Sequence, residues 1–287
     1  AIWNLEFVDN SGDLGVKNTA YAVGLLQLTY EKLTGTVLNA YLRYVPAGQT
    51  ASVQYTGTDA CLTCHGAMAV TGTDYRSFLR SGHPYKLTEI VNGQMPTFPF
   101  SSIAGALGLV TDNDALPGDP KPGTDNTLGT PFSYADISYV IGGFAWKARW
   151  IDLAGYIITG TATQYNLATG GMAAYNDNQV DKKYDCGACH TTGWKDYTSA
   201  TGDTRNLNRQ KNLPGMAGTW VDEGVQCEAC HGGGSLHADA PSASNITKIA
   251  TPRTTADLTA ADMGYGKAIA CRECHTRDGE KLYPAYV

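Results

Sequence analysis

Short stretches of alternating or β-branched residues recur along the chain, and they predict strands and turns more often than helices. Residues Thr34–Tyr44 are rich in β-branched and aromatic side chains and shortly precede a Pro-Ala-Gly sequence, which predicts a strand that ends in a turn. Residues Asp74–Arg80 predict a short helix with Thr73 as its N-cap and Gly82 at its end. That helix would place His83 just beyond its C-terminal end.

The middle of the chain predicts a loop followed by a β-hairpin. Residues 111–131 are mostly turn-forming residues and predict the loop. Residues Tyr134–Gly160 then alternate in part between hydrophobic and polar side chains. Asp152–Gly155 would form a turn, from which Tyr156–Thr161 would return as the second strand. The residues predicted to share one face of the first strand are Trp146, Ala148 and Trp150.

The composition excludes several classes of protein. Of the 287 residues, 17% are charged, which is below the usual quarter or so of a soluble domain. This value and the 33 glycines argue against a coiled coil or a charged disordered chain. No apolar stretch reaches the roughly 18 to 20 residues that span a bilayer, so we expect no membrane span. The net charge of −6, without a basic cluster, predicts no nucleic-acid partner.

The cysteines carry the strongest signal in the sequence. All eight belong to C-x-x-C-H units, the attachment motif of c-type haem. In each unit the two thiols form thioethers with the porphyrin, and the histidine binds the iron as the proximal ligand. The predicted thioether residues are Cys61, Cys64, Cys186, Cys189, Cys227, Cys230, Cys271 and Cys274. The predicted proximal ligands are His65, His190, His231 and His275.

Other uses of these cysteines explain the pattern less well. Four disulfides would account for the even number of cysteines, and two zinc sites of four thiolates each would use the C-x-x-C pairs. Neither would use the histidine that follows every pair. A thioredoxin-like site needs one motif in a βαβ unit, and the chain meets neither condition. The sequence therefore predicts four covalently attached haem c groups.

The number of histidines limits how the irons are ligated. Of six histidines, the two outside the motifs are His83 and His237, which we predict to be distal ligands. At least two irons then have a methionine, another donor such as Lys, Tyr or the amino terminus, or no sixth ligand. His/Met ligation raises the reduction potential relative to two histidines, so the four potentials should differ. The weaker distal candidates, each of which has core packing as its default role, are Met216, Met95 and Met172, ranked ahead of Met68 and Met263.

Haem attachment also bears on location and organisation. Haem c is attached outside the cytoplasm, which predicts an extracellular or cell-surface protein, with the periplasm as the alternative. The start at Ala1 is what removal of a signal peptide would leave. We expect a multihaem cytochrome c fold of loops, short helices and a few strands or hairpins packed around four stacked haems. Its predicted parts are an N-terminal strand-containing segment (1–60), the haem 1 region (61–110), a loop and hairpin insertion (111–180) and a haem 2–4 cluster (181–287).

Several blocks of the sequence resemble those of multihaem cytochromes from metal-reducing bacteria and some archaea. The blocks are Arg80–Leu87, Gly143–Arg149, Tyr184–Trp194 and Gly224–His231. Together they are most similar to the tetrahaem outer-surface cytochromes related to outer-membrane cytochrome E, which polymerise into extracellular filaments with continuous haem stacking. The resemblance implies the same fold and role, with His83 and His237 as distal ligands. In those proteins every haem iron typically has two histidine ligands, so four haems need eight histidines. This chain has six.

Three functions follow from these patterns. The first is extracellular electron transfer by the repeating subunit of a conductive filament, with haems 1 and 4 near opposite ends of the subunit. Its partners would be further copies of the chain and redox proteins or an extracellular electron acceptor. The second is a reductase or oxidase of a small nitrogen or sulfur compound at a five-coordinate haem. The third is a monomeric periplasmic electron carrier. The sequence contains no catalytic acid–base constellation, which favours electron transfer.

Overall fold

The computed structural model describes residues 54–66, 78–110, 132–177 and 179–275, together with Leu33. The chain divides into the units Ala1–Ala47 and Gly48–Val287, and apart from Leu33 the described residues belong to the second. The predicted strand at Thr34–Tyr44 and the predicted loop at 111–131 lie outside the described residues, as does Met68. Of the predicted helix that ends at Arg80, residues 78 and 79 are described and helical.

A five-stranded antiparallel sheet is the largest element. Each strand pairs with the next one along the chain, so the sheet is a simple meander. The predicted hairpin turn at Asp152–Gly155 is confirmed: the N–H of Asp152 donates to the carbonyl of Tyr156 at 2.9 Å, and that of Ile158 donates to Trp150 at 2.9 Å. The returning strand begins at Gly160 rather than at Tyr156. The strands are β1 (Leu87–Glu89), β2 (Ile137–Gly142), β3 (Lys147–Asp152), β4 (Gly160–Asn166) and β5 (Gly171–Tyr175).

The central strands of the sheet are buried on both faces. Because successive side chains of a strand point to opposite faces, β2 and β3 supply residues to two separate hydrophobic clusters. The first cluster packs Val140 and Trp150 against the segment that includes Ile103 and Leu107. The second packs Tyr139, Ile141, Ile151 and Ile157 against four residues from the C-terminal half, which are Tyr184, Trp194, Met216 and Trp220. The sheet therefore connects the N-terminal part of the described chain to the part that holds the last three cysteine motifs.

One predicted member of the buried face is instead exposed. Ala148 and Trp150 expose none of their surface, as predicted, but Trp146 is 78% exposed. The reason is that β3 begins at Lys147, so Trp146 belongs to the β2–β3 turn rather than to the pleated strand. Ala145 has a φ of 66°, which takes the backbone out of the extended conformation at this point.

The remaining described elements are short. Two two-stranded ribbons pair β6 (Thr191–Thr192) with β9 (Asp222–Glu223) and β7 (Lys195–Asp196) with β8 (Gly218–Thr219). The α-helices are α1 (Thr58–His65), α2 (Gly187–His190), α3 (Cys227–His231), α4 (Ser235–Asp239), α5 (Thr255–Thr259) and α6 (Cys271–His275). Single 3₁₀ turns lie at Leu107–Leu109, Tyr134–Asp136 and Gln210–Asn212. The expected combination of short helices and several strands is confirmed, and within the described ranges no helix has the length and hydrophobicity to cross a bilayer.

The two tryptophans of the β3 region should differ sharply in their contribution to stability. Trp150→Ala is expected to lower the free energy of unfolding by about 3 to 5 kcal/mol, because it leaves a large cavity in the first cluster. Trp146→Ala, the exposed control, should change it by no more than about 0.5 kcal/mol. Denaturant unfolding of the haem-loaded protein, followed by far-UV circular dichroism, measures both. Equal losses in the two variants would contradict the register of β3.

Candidate haem centres

Each C-x-x-C-H motif lies in a short helix that presents its reactive groups together. The motifs are in α1, α2, α3 and α6. Residues three apart in a helix lie on the same side, so the two cysteines of each motif can meet the same edge of a planar group. All eight cysteines are free thiols, and none is buried. Free, accessible thiols in this arrangement are compatible with thioether attachment.

The first motif lies beside the third. Helix α1 contacts helix α3. The interaction between the Cys61 and Cys227 side chains is the largest influence on both thiols: it raises the pKa of Cys61 and lowers the pKa of Cys227 to about 7. Two attachment sites that are far apart in sequence are thus brought into contact.

The second motif lies beside the fourth in the same way. Helix α2 contacts α6, and the interaction between the Cys189 and Cys274 side chains lowers the pKa of Cys189 and raises that of Cys274. The third and fourth motifs are also neighbours, because backbone hydrogen bonds join α3 to the residues just before α6. The third motif further contacts strand β6, which directly follows α2.

The expectation that haems 1 and 4 lie near opposite ends of the subunit stays a prediction, because contacts between the motifs do not place the haems. The fourth motif is held beside the third by backbone hydrogen bonds, in which the N–H of Ile269 donates to Ala229 at 2.7 Å and the N–H of Gly233 donates to Gly266 at 2.9 Å. These contacts bring the chain back on itself after α3. Sequence spacing carries no information about such a return.

The two histidines outside the motifs each face a different proximal histidine. The ring centres of His65 and His237 are 6.2 Å apart with an interplanar angle of 19°, and those of His83 and His275 are 6.0 Å apart at 83°. A histidine nitrogen binds a metal at about 2.0 Å, so two imidazoles on opposite sides of one metal ion have ring centres about 6 Å apart. Both pairs have the separation that a shared iron requires.

His237 is oriented by the residues that follow its helix. Its Nδ1 lies 3.0 Å from the carbonyl oxygen of Ser242 and 3.1 Å from Oδ1 of Asn245. The side-chain amide of Asn245 donates to the carbonyls of Leu236 and Ala240 at 3.0 and 2.7 Å. Two acceptors beside Nδ1 favour the tautomer with its proton there, which leaves Nε2 free to bind a metal. Asn245 also begins an Asn-Ile-Thr sequon, and a glycan would replace one of its amide hydrogens.

His83 lies in a turn that is held against the segment before α3. Its carbonyl accepts the N–H of Val225 at 2.9 Å. Next to it, Gly224 has a φ of 72°, and a β-carbon there would lie 2.0 Å from the carbonyl oxygen of Pro84. Only glycine permits this approach of the two backbones. The turn that carries His83 therefore depends on the absence of a side chain at position 224.

The electrostatic surroundings of His83 suit a metal ligand. Burial is the largest influence and lowers its pKa, and the charges of His275 and Lys86 lower it further. Nδ1 lies 3.3 Å from the hydroxyl of Ser81. A lowered pKa favours the neutral imidazole, which is the form that coordinates a metal.

The other two proximal histidines, His190 and His231, belong to the second and third motifs. Nδ1 of His231 lies 2.7 Å from the carbonyl of Thr247, which can accept its proton and leave Nε2 as the metal ligand. His231 also lines a cleft of about 450 Å³, whose wall includes the basic side chains of Arg253 and Lys267. The two imidazole pairs leave no further histidine in the chain for these two sites.

The methionine candidates lie in or against the protein core. Met216 exposes none of its surface and belongs to the second hydrophobic cluster, while Met95 and Met172 pack against the first. Met263 is 9% exposed. An axial ligand has to face a porphyrin, whereas protein atoms enclose Met216 completely. Its burial favours the packing role.

Two buried glutamates within the motifs escaped the sequence analysis. Glu228 lies between the cysteines of the third motif and accepts backbone N–H groups from two other segments. Glu273 lies between the cysteines of the fourth, where it accepts the N–H of Ala270 at 2.9 Å and pairs with Arg253 at 3.0 Å. The attachment motif places no requirement on these positions, so the sequence contained no signal for them.

Part of the chain matches a known family. Residues 159–232 match the family model of cytochrome c554 and c-prime. This cytochrome c554-like segment contains the second and third motifs, together with β4, β5 and the two small ribbons. The first and fourth motifs lie outside it. No curated protein matches this chain.

Two solved structures are similar to part of this chain. One is the undecahaem cytochrome from the S-layer of Carboxydothermus ferrireducens, with 21% identity, a TM-score of 0.40 and an alignment over 70% of this chain and 24% of that chain. The other is the outer cell wall cytochrome OcwA, with 17% identity, a TM-score of 0.35 and an alignment over 65% of this chain and 33% of that chain. The chain thus spans about a quarter and a third of these larger proteins.

The close approach at Gly224 can be tested by adding one methyl group. Gly224→Ala is expected to lower the free energy of unfolding by about 2 to 5 kcal/mol, because a positive φ and a clash with Pro84 add together. Gly202→Ala is the matched control: Gly202 also has a positive φ, but a β-carbon there meets nothing within 4 Å. Backbone strain alone should cost the control about 1 to 2 kcal/mol. Denaturant unfolding that gave the same loss for both would refute the close approach.

Proposed function

We propose that this chain is a tetrahaem c-type cytochrome that transfers electrons outside the cytoplasm. The observation that carries the proposal is that two pairs of imidazoles have ring centres 6.0 and 6.2 Å apart. Each pair has one member from an attachment motif. Four helices with free thiols supply the attachment sites. The match of residues 159–232 to cytochrome c554 and c-prime supports the same interpretation.

Each haem would be held by one motif, and two of them by a second imidazole. Haem 1 would use the α1 motif with His237 opposite His65, and haem 4 the α6 motif with His83 opposite His275. Haems 2 and 3 would use the motifs in α2 and α3. When bound, the haem iron supplies reversible one-electron chemistry, with a potential set by its axial ligands.

The contacts between motifs serve this function by keeping neighbouring attachment sites close. Electron transfer between metal centres requires short distances, and the contacts of α1 with α3 and of α2 with α6 would bring site one to site three and site two to site four. The backbone hydrogen bonds from Ile269 to Ala229 and from Gly233 to Gly266 join these two pairs. The chain would then hold four haems in one continuous row, with sites one and two at its ends.

A more specific proposal is that copies of the chain polymerise, as the resemblance to the tetrahaem cytochromes related to outer-membrane cytochrome E implies. In the proposed row of haems, sites one and two are the ends. In a filament these two sites would have to meet across the subunit interface. We expect negative-stain electron microscopy of the protein, isolated without denaturants, to show thin unbranched filaments of this single chain. Discrete particles at every protein concentration would refute polymerisation and favour a monomeric carrier.

A second candidate function is reduction or oxidation of a small nitrogen or sulfur compound. The cleft of about 450 Å³ beside His231 favours it, since the two imidazole pairs leave this motif without a second histidine. An open iron in this cleft would give a high-spin ferric signal that small anions change. Ferric haems that are all low-spin would exclude this candidate.

The two imidazole pairs give the main proposal a specific spectroscopic test. The angle between the two imidazole planes controls the anisotropy of the g values of a low-spin ferric haem. Imidazole pairs at 19° and 83° should therefore give two distinct EPR signals. His237→Ala is expected to remove the signal of near-parallel planes, and His83→Ala that of near-perpendicular planes. Each variant serves as the control for the other. Haem content, measured as the pyridine haemochrome, should stay at four per chain; a wild type without either signal would refute the assigned ligands.

A further inference from the structure

A buried carboxylate in the third motif binds two other segments of the chain at once. Glu228 is 2% exposed. Its Oε2 accepts the N–H of Gly57 at 2.8 Å, and its Oε1 accepts the N–H of Gly234 at 2.6 Å. The N–H of Thr56 lies 2.9 and 3.1 Å from the two oxygens. These charge-assisted hydrogen bonds satisfy a carboxylate that has almost no access to water.

The two segments lead directly to the two imidazoles proposed for haem 1. Gly57 is the N-cap of α1, the helix that ends at His65. Gly234 is the N-cap of α4, which carries His237. Oε2 of Glu228 therefore binds the start of the proximal helix, whereas Oε1 binds the start of the distal helix and also Thr56, just before the proximal helix.

We propose that Glu228 is a positioning residue that sets the separation and relative orientation of His65 and His237. This inference rests on the proposed function, because it assigns the role of Glu228 to the ligand pair of haem 1. The argument depends on both oxygens being acceptors. A glutamine has one acceptor oxygen, and its NH₂ group would face backbone N–H donors on one of the two sides.

Other contacts keep the two segments together when Glu228 is replaced. The N–H of Ser235 donates to the carbonyl of Gln54 at 3.1 Å, and the N–H of Gln54 lies 3.3 Å from the hydroxyl of Ser235. We therefore expect a Glu228 variant to fold with α4 near α1, but without the contact that fixes their exact relation. The effect should appear in the ligand geometry of haem 1 before it appears in the fold.

A neighbouring carboxylate provides a matched control. Asp222 lies close to the same helix start, and its Oδ2 accepts the N–H of Thr58 at 3.3 Å. The hydrogen bonds of this side chain in the described structure reach α1 and not α4. Asp222→Asn thus perturbs the proximal side alone, whereas Glu228→Gln perturbs the connection between the two sides.

The experiment is EPR of the ferric, haem-loaded full chain, with the near-perpendicular signal of the His83–His275 pair as the internal reference. Glu228→Gln is expected to reduce the near-parallel signal at least twofold, with a new high-spin or more anisotropic signal in its place. The reference signal and a haem content of four per chain should not change. Asp222→Asn should retain the near-parallel signal, and Glu228→Asp, whose shorter side chain cannot reach both segments, should behave like Glu228→Gln.

Two results would overturn the proposal. One is a near-parallel signal of unchanged shape and intensity in Glu228→Gln. The other is an equal loss of both signals in Glu228→Gln, which would mean that the carboxylate supports the fold as a whole. A wild-type protein that lacks the near-parallel signal, or that binds no haem, would instead refute the proposed function, so the two failures are distinguishable.

Discussion

Two imidazoles that share one metal ion must be held about 6 Å apart between ring centres, although they come from distant parts of the chain. His65 and His237 meet this requirement across the unit, as do His83 and His275. The described helices are too short to impose such long-range geometry, since none exceeds eight residues. Individual hydrogen bonds between segments, rather than packed helices, therefore set the distances on which the haem centres depend.

The five-stranded sheet contributes by fixing one end of this arrangement. Strand β1 begins four residues after His83 and pairs with β2, so the turn that carries His83 is attached to the most deeply buried part of the molecule. The second hydrophobic cluster joins the same sheet to Tyr184 and Trp220, which lie close in sequence to the second and third motifs. A rigid sheet between two clusters thus relates His83 to the motifs of the C-terminal half.

The sequence predicts haem chemistry through local signals, but it does not predict how the sites are arranged. The C-x-x-C-H units and the two spare histidines are local signals, because the spacing of thiols and imidazole follows from the shape of a haem. The pairing of His237 with His65 and the order of the motifs depend on contacts between distant segments, such as Ile269 with Ala229. Trp146 shows the same limit on a smaller scale, since alternation alone did not reveal where the turn ends and β3 begins.

The proposed order of the sites and their proposed ligands together would make the two ends of the row different. With the proposed ligands, sites one and four would have a second imidazole, whereas sites three and two would not, so the two kinds would alternate along the proposed row one, three, four, two. Replacing a histidine ligand by methionine raises the potential, and a missing ligand changes it as well. The terminal sites, one and two, are then of different kinds. A row with unlike ends favours entry of electrons at one end and exit at the other, which suits a protein that passes electrons between two partners.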